Sequence, residues 1–568
     1  MIRILLHVIF VLLNLYSTQK LFGLHPMSLF SVGCIAFSLL LERKTLSAST
    51  SSKKAGLTIG IIFSLFTSFA HYGYFSFSSF GASVFYMILF TVGLSFSFSI
   101  ISICVYDEME KAYSSNSRNP SGGKVFFSAW AVIFIVWLLF FLAYYPGIYS
   151  PDSLWQLEQA MGDSPLSNHH PVIHTLLMRF VLHLGKNLFS GSLQAATGLL
   201  SVIQMLFLSL CMAYSIKTIS EVRRSSPLYM LFTLFFALVP FNIMFSFTHL
   251  KDTWFAGFFL VFCSILAKRL SAYDHLSRVE YILFALSAIG AGLFRSNGLY
   301  AILFLLPFLF FTFKKDRLLS LVLVVCLIVC FIITGPVYKT LGVIAIDPVE
   351  YLSVPLQQIS RVIVDGGKIS DSDYSLLSEV INPSLIPSAY YSRISDNIKN
   401  LIRTSGNQEF ISDNKASFLL LWLRLLKDNP GSYINAYVDL SNGFWYPEQT
   451  GIPFVTSMDP NAYGLSVTSL LPTAVTNVLR MWTYSNNQQS FLGPVFSCGG
   501  YVWAFLFLFI YSLSKKGKAY VTFLPSLFLW ITLLLTTPVY CDIRYLYAII
   551  VCLPLLFTVA INLSVNQV

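Results

Sequence analysis

One stretch of the chain gathers side chains that can move protons and hold anions: YYPGIYSPDSLWQLEQAMGDSPLSNHHPVIH, Tyr144 to His174. It carries a carboxylate, Asp152, directly after Pro151, and an imidazole pair, His169 and His170, directly before Pro171. Three short segments between apolar runs add Lys251 and Asp252 in HLKDTW, Arg295 in FRSNGL, and Asp542 with Arg544 in YCDIRYLY. A carboxylate can take the proton of an attacking hydroxyl, and cations can stabilise a phosphate as it leaves, Arg with a planar fork and Lys as a mobile point charge. A hydroxyl that displaces a lipid phosphate or pyrophosphate needs both. In this reading Asp152 is the base, Lys251, Arg295 and Arg544 clamp the phosphate, and His169, His170, Asp252 and Asp542 orient the substrates.

Each residue also has a plainer reading. Asp152 in a first helical turn would complement the helix dipole, worth about 0.3 to 1 kcal/mol. Lys251 and Asp252 would form a neighbouring pair at a helix end, Arg295 and Arg544 would snorkel to phospholipid headgroups, and His169 would cap a helix. A His-His pair without a third ligand at metal spacing is weak evidence for zinc, so no metal is expected and a divalent cation is not favoured. Ionisable residues are costly in a membrane, and their gathering at one level supports the chemical reading.

The elements that position them follow from local signals. Ser150 suits a helix cap, Pro151 the first helical position and Asp152 the first turn. Leu154, Trp155, Leu157 and Met161 recur at helical spacing opposite Ser153, Gln156 and Gln159, which predicts a helix lying on a membrane surface. A second helix is predicted after Pro171, with His174, Arg179, His183 and Lys186 among apolar residues.

The composition supplies the setting. The 568 residues are 56% hydrophobic and only 11% charged, with mean hydropathy +0.70, more apolar than a water-soluble core of this size requires. An all-α polytopic membrane protein is expected. The net charge of +10 comes from short basic clusters between apolar runs, which orient a protein in a bilayer, and nucleic acid is not an expected partner. The nine cysteines form no CxxC pair; Cys104, Cys211, Cys263, Cys326 and Cys330 lie in apolar runs as small hydrophobes, so neither a disulfide framework nor a structural zinc is expected.

A hydrocarbon core of roughly 30 Å needs about 20 residues per helix. About fourteen spans are expected, over 2–20, 25–41, 56–75, 83–105, 125–145, 194–216, 228–248, 253–267, 279–294, 297–313, 318–338, 491–513, 519–537 and 545–563. The run Ile4 to Tyr16 is read as a retained span. With the N-terminus in the cytoplasm, the inner loops hold Arg43, Lys44, Lys53 and Lys54; Lys111, Arg118 and Lys124; Lys217, Arg223 and Arg224; Lys268, Arg269 and Arg278; Lys314, Lys315 and Arg317; and Lys515, Lys516 and Lys518. The short outer connections hold only Lys20, Lys251, Arg295 and Arg544. This asymmetry places both termini inside and the charged layer outside. The organisation expected is an N-terminal four-helix unit over 1–124, a membrane core over 125–338 with a first external loop at 146–193, an external and mostly helical domain over 339–490, and three final helices over 491–568. The stretch SNGFWYPEQTG, Ser441 to Gly451, is expected to rest on lipid in preference to contacting a substrate.

A span, then an outer loop with an acidic residue early in a helix, a histidine-proline turn, a juxtamembrane helix, the small-residue break FSGS (Phe189 to Ser192) and a further span resembles the first external loop of GT-C glycosyltransferases. The likeness is greatest to the bacterial branch of protein mannosyltransferases and lipid A aminoarabinose transferases. LKDTWF, FRSNGLY and DIRYLY resemble, more loosely, the basic positions of such enzymes. The resemblance covers about 125–338 and 491–563. It implies a GT-C-like core, a polyprenyl-phosphate-linked sugar donor, an extracytoplasmic glycan or other hydroxyl acceptor (wall polysaccharide, teichoic acid, glycolipid or protein), and an inverting transfer outside the cytoplasmic membrane. Asp152 would match the loop base, and Lys251, Arg295 and Arg544 the donor-phosphate contacts. Ser153 stands where many relatives carry a second acidic residue, which favours a metal-independent reaction. Two rivals remain. A lipid-linked oligosaccharide flippase would need charges in a central cavity and two comparable halves, and a polysaccharide polymerase or ligase would use the same lipid carrier.

Overall fold

The computed structural model describes residues 2–22, 33, 36, 40–72, 80–111, 122–223, 225–271, 276–314, 317–447, 454–484, 493–515 and 517–562. Apart from isolated bridges, the regular structure described is helical. In chain order the principal helices of the first part are α1 (Ile2–Phe22), α2 (Thr50–Tyr72), α3 (Phe80–Lys111), α4 (Gly122–Ala143), α5 (Pro151–Met161), α6 (Val172–Leu188), α7 (Leu193–Val222), α8 (Ser226–Leu238), α9 (Pro240–Phe247), α10 (Lys251–Ser271), α11 (Arg278–Phe294), α12 (Ser296–Thr312) and α13 (Leu318–Ile332). The 339–490 segment contributes α14 (Ser353–Val364), α15 (Asp371–Val380), α16 (Asp396–Ser405), α17 (Gln408–Asp413), α18 (Lys415–Asp428), α19 (Pro430–Ser441) and α20 (Thr473–Thr483). The chain ends with α21 (Cys498–Ser514), α22 (Leu524–Thr536) and α23 (Ile543–Asn562).

Among the described residues eight helices are long and apolar enough to cross a membrane, and nine if α8 and α9, bent by 57°, form one span. The sequence pattern proposes more because it accepts shorter apolar runs. The helices α11 and α12 have 17 residues each, about 26 Å at 1.5 Å per residue, slightly less than the hydrocarbon thickness. The expected 25–41 span lies for the most part outside the described residues, as do Arg118, Arg224, Lys315 and Lys516.

Helix α10 organises the bundle, packing against α7, α11 and α23. Phe255, Ala256, Phe259, Leu260, Phe262, Cys263 and Leu266 are all buried, a helix apolar on every side and therefore central. The break before it has a local cause. Pro240 cannot donate to the preceding turn, so α8 stops at Leu238 and α9 restarts at a new angle. The carbonyls left over at the end of α9 are satisfied from α7: the Gln204 amide donates to Phe245 O, Ser246 O and Thr248 O at 3.0, 3.1 and 2.7 Å. This fixes where α10 begins.

Two expectations are corrected. The polar face of α5 points inward, with Ser153, Gln156 and Gln159 only 1%, 2% and 0% exposed while Trp155 is 38% exposed. Both glutamines are tied into the protein: Gln156 Nε2 donates to Thr175 Oγ1 at 3.0 Å, and Gln159 Oε1 accepts from Ser167 N at 3.0 Å. The helix is thus docked by hydrogen bonds as well as by Leu157 and Ala160, and does not lie with its polar side to water. Likewise Phe444, Trp445 and Tyr446 are buried in the main core, with the Trp503 indole donating to Trp445 O at 2.7 Å. That part of Ser441 to Gly451 is packed inside the protein instead of resting on lipid, and 448–451 lies outside the described residues.

The 339–490 segment builds a core of its own from residues between Val349 and Tyr433, including Leu356, Ile359, Leu377, Ile398, Ile402, Phe418 and Leu421. Among the backbone ties that hold it to the bundle, two pairs lie beside the elements that carry the charged residues. Ile344 N donates to Leu166 O at 2.9 Å and Asn168 N to Ile344 O at 2.8 Å; Ser395 N donates to Pro538 O at 2.8 Å and Tyr540 N to Arg393 O at 2.9 Å. The segment therefore meets both the α5–α6 loop and the α22–α23 connection.

Candidate active site

Each charged group reaches the site by a separate construction. Ser150 caps α5, its hydroxyl accepting from Ser153 N at 3.4 Å, which sets Asp152 in the first turn as the sequence predicts. The chain before it is tied to the start of α10 through Ile148 N to Phe247 O (3.1 Å) and His249 N to Ile148 O (2.9 Å). Between them Gly147 adopts φ +111, and a Cβ there would lie 2.1 Å from Ser201 Oγ and 2.7 Å from Phe247 O, so glycine permits both the turn and the approach. Lys251 opens α10, and its ammonium donates to His170 Nδ1 at 2.8 Å, which makes His170 a neutral acceptor at that nitrogen.

Arg544 links two carboxylates. Its Nη1 donates to Asp152 Oδ2 at 2.6 Å and its Nε to Asp542 Oδ2 at 2.7 Å, and its own backbone N donates to Asp542 Oδ1 at 3.0 Å. Arg295, between α11 and α12, has Nη1 2.5 Å from Asp252 Oδ1. The approach lies off the hydrogen-bonding direction, since both Asp252 oxygens are buried without a hydrogen-bond partner. The Tyr545 ring carries both guanidiniums, Arg295 at 4.7 Å and Arg544 at 5.0 Å from its centroid. Trp155 packs edge-on against His169 and His170, with centroids 5.1 and 5.3 Å away.

These groups surround a cavity of about 570 Å³ lined by Asp152, His169, His170, Lys251 and Arg544, within the range of small-molecule sites. Arg295 instead lines an adjoining cavity of about 360 Å³ that shares Lys251, Ser296, Asn297 and Tyr545 with the first. Asp252 and Asp542 line neither cavity; each is spent on an arginine. The first cavity also meets the side chains of Phe304 on α12 and Leu535 on α22, 49% and 67% exposed on the apolar surface of the bundle. It thus has charged walls and an apolar edge.

The opposite wall belongs to the 339–490 segment, and the sequence reading did not include it. Glu350, Asp396, Lys399 and Arg403 line the cavity. Lys399 bonds Glu350 at 3.0 Å and pairs with Asp396 at 2.6 Å; Arg403 bonds Asp347 at 3.0 Å and also pairs with Glu350. His169 Nδ1 lies 3.8 Å from Glu350 Oε1 and joins the two walls. Lys399 and Arg403 stand four apart among Ile398, Leu401 and Ile402, a pattern that resembles any solvated helix face; that Lys399 is 1% exposed depends on its tertiary neighbours.

The electrostatics follow from this packing. Burial alone would raise the Asp152 carboxyl, but Arg544, then Lys251 and His170, hold it well below the usual carboxylate range. Burial and the Lys251 ammonium keep His170 far below an ordinary imidazole. His169 is shifted the same way by burial, only partly opposed by Glu350. Behind the site, His174 is buried against Gln156 Oε1 at 3.0 Å and lowered by burial to about 3. Among the described residues no three His, Cys, Asp or Glu side chains are placed to hold a metal ion together.

Helices long enough to span a bilayer, with a charged cavity at the ends of α10, α12 and α23, define a polytopic helical protein built around a polar site. Residues 160–567 match the model described as a family of unknown function (DUF6020), and the chain belongs to that family. No curated protein and no solved structure matches it. The matched range includes His169, His170, Lys251, Arg295 and Arg544; Asp152 stands just before it.

Proposed function

We propose that this protein is a membrane glycosyltransferase with a GT-C-like core, moving a sugar from a polyprenyl-phosphate donor to a hydroxyl of an extracytoplasmic acceptor with inversion. The observation that carries the reading is the convergence of the Asp152 carboxylate with Lys251 and Arg544 on a cavity that also meets the exposed apolar side chains Phe304 of α12 and Leu535 of α22. A lipid-linked substrate has matching parts: a hydrocarbon chain for the apolar edge, a phosphate for the cations and a sugar for the polar interior. The Lys/Arg asymmetry of the loops supports a site outside the cytoplasm and both termini inside, and the remaining apolar helices are read as further spans of a bundle of about fourteen.

In this mechanism the acceptor hydroxyl gives its proton to Asp152 as its oxygen bonds to the anomeric carbon. The bond from that carbon to the phosphate oxygen breaks on the opposite side, and the electron pair stays on the phosphate, stabilised by Lys251 and Arg544. The resting site is not yet suited to this, since a carboxylate held down by Arg544 is a weak base. An arriving phosphate competes for the same guanidinium, so donor binding draws Arg544 from Asp152 and restores basicity where the proton must go. Lys251 bonds only a neutral imidazole, which leaves its charge available to the donor. Arg295 is committed to Asp252 and shapes the neighbouring cavity. The test is transfer from a polyprenyl-phosphate sugar by purified protein in lipid nanodiscs, wild type beside Asp152→Asn; a wild type inert toward every such donor would exclude the reading.

A further inference from the structure

A second cavity, of about 430 Å³, lies on the 339–490 segment against α14, α17 and α18. Its walls are apolar: Pro348, Leu352, Pro355, Ile411, Phe418 and Trp422. Ser412 and Lys415 are its polar side chains, both near the start of α18. The Trp422 indole is fixed by donation to Gln358 Oε1 at 2.8 Å, so its ring forms a stable wall. Ile346 and Tyr351 line both this groove and the charged cavity; the two spaces adjoin at Tyr351, itself 62% exposed. Leu419, Leu420 and Leu423 on the same helix are 54%, 52% and 43% exposed, an apolar patch that adjoins the groove and calls for an apolar partner.

We propose that this groove holds the hydrocarbon chain of the acceptor, so that the acceptor is an amphiphile whose hydroxyl-bearing head enters the charged cavity past Tyr351. The inference rests on the glycosyltransferase reading for the role of the head and on the groove alone for the chain. The polar cavity then has two apolar approaches. One, between α12 and α22, is at the bundle surface and suits the donor lipid; the other is on the 339–490 segment and leads in from the opposite wall. Two such approaches let both partners be present together, as a direct displacement requires. A hydrocarbon chain is favoured over a peptide by the groove chemistry. Its walls are helices whose backbone groups are already paired, so a peptide would surrender hydrogen bonds to water and find only Ser412 and Lys415 in return.

The test uses the full chain in lipid nanodiscs with a long-chain alkyl glucoside bearing a diazirine at the chain end. Photolabel should be recovered on the Ile411 to Trp422 peptide in wild type and equally in Asp152→Asn. It should be at least about tenfold weaker in Ser412→Trp, which fills the groove, and in Leu419→Asp, which charges its edge, the loss expected when about two methylenes forfeit their contacts. Equal labelling in the blocked variants, or label confined to the bundle helices, overturns the proposal; so does label displaced by an apolar peptide but not by a fatty alcohol. A kinetic arm separates the two readings. With a working donor, the long-chain glucoside should show a lower KM than methyl glucoside in wild type, the advantage should vanish in Ser412→Trp, and kcat should not change. Transfer that is indifferent to chain length sinks the acceptor inference and leaves the glycosyltransferase reading intact; groove labelling without any transfer supports a hydrocarbon site and overturns that reading.

Discussion

The two walls of the cavity use similar residues to different ends. On the bundle wall the lining charges are Lys251, Arg544 and Asp152, two cations to one carboxylate; on the facing wall they are Lys399, Arg403, Glu350 and Asp396, two to two. Lys399 and Arg403 are held by carboxylates of their own segment, whereas Lys251 leans on the neutral ring of His170. The bundle wall thus has positive charge to offer an anion, and the facing wall has shape. A buried ion pair is poor evidence of stabilisation but strongly resists loss of one partner, so removing a charge should cost turnover on one wall and folding on the other.

The largest effect is expected at Asp152. Asp152→Asn keeps the size and much of the helix-start preference but cannot take a proton, so transfer should fall by roughly 10² to 10⁴ in a variant that still folds, less stable only by the charge it no longer offers Arg544. Turnover within a few-fold of normal in a stable variant would strike Asp152 from the mechanism. Next is Lys251→Met, which retains the apolar stem and removes the charge. A donor group lost from a site of developing negative charge costs about 10² to 10³ in kcat, and that loss is expected here in a variant that still folds.

Lys399→Met should do the reverse, with kcat nearly unchanged and stability lowered. It strips a buried partner from Glu350, and a buried polar group left unsatisfied costs about 1 to 3 kcal/mol, more when charged. Thermal unfolding and transfer measured on the same samples decide it. If Lys399→Met loses turnover as Lys251→Met does, the walls are not distinct in function.

What the sequence revealed and what it hid divide along the same line. The Ser150-Pro151-Asp152 start rests on local rules of capping and proline, and the structure has it where expected; the break at Pro240 falls inside the single span expected over 228–248, although proline is itself a local signal. The cations Lys251 and Arg544 were conspicuous because charge between apolar runs is unusual. Lys399, Arg403 and Glu350 were not, because they occur in a stretch of ordinary polarity where burial is decided by partners 49 and 53 residues apart in the chain. The inward turn of Ser153, Gln156 and Gln159 was hidden for a related reason: amphipathic spacing tells which residues share a face, while the partners Thr175 and Ser167 decide which face is inside. Nor does spacing reveal that Arg295 is committed to Asp252 and Arg544 shared between two carboxylates.

A pH dependence of stability sharpens the comparison. His170 and His174, both buried, are held below the ordinary imidazole value by burial and, for each, by the Lys251 charge. In the unfolded chain they take up protons near pH 6.5, while in the folded protein they remain neutral to lower pH. The unfolded state therefore binds more protons below about 6.5, and each histidine removes up to about 1.4 kcal/mol of stability per pH unit as pH falls from there. Unfolding between pH 7.5 and 5.5 should show this acid weakening, and His174→Gln should flatten it. Asp152 works in a lower window: its depressed carboxyl contributes stability above the unfolded value of about 3.9, lost only as pH falls below it. An unchanged slope in His174→Gln would mean that its burial is not maintained in solution.

Only a modest effect on turnover is expected at Arg295, where sequence and structure diverge most. The sequence reading makes it a third phosphate contact. In the fold it sits 2.5 Å from Asp252, lies over Tyr545 and lines the adjoining cavity instead of the one that holds Asp152. Arg295→Lys keeps the charge but loses the planar fork and the stacking that steadies Tyr545. If the role is to neutralise Asp252 and place the ring, the variant should lower the melting temperature by a few degrees and change kcat only about two- to five-fold, the scale of a fraction of 1 kcal/mol to about 1 kcal/mol. If it grips the donor phosphate directly, donor KM should rise and kcat fall together, by about tenfold or more, in a protein as stable as wild type. Arg544→Lys supplies the scale on the same assay: it loses a fork that faces the cavity, so its deficit should exceed that of Arg295→Lys. Equal deficits would return Arg295 to the phosphate clamp and extend the reacting space into the adjoining cavity.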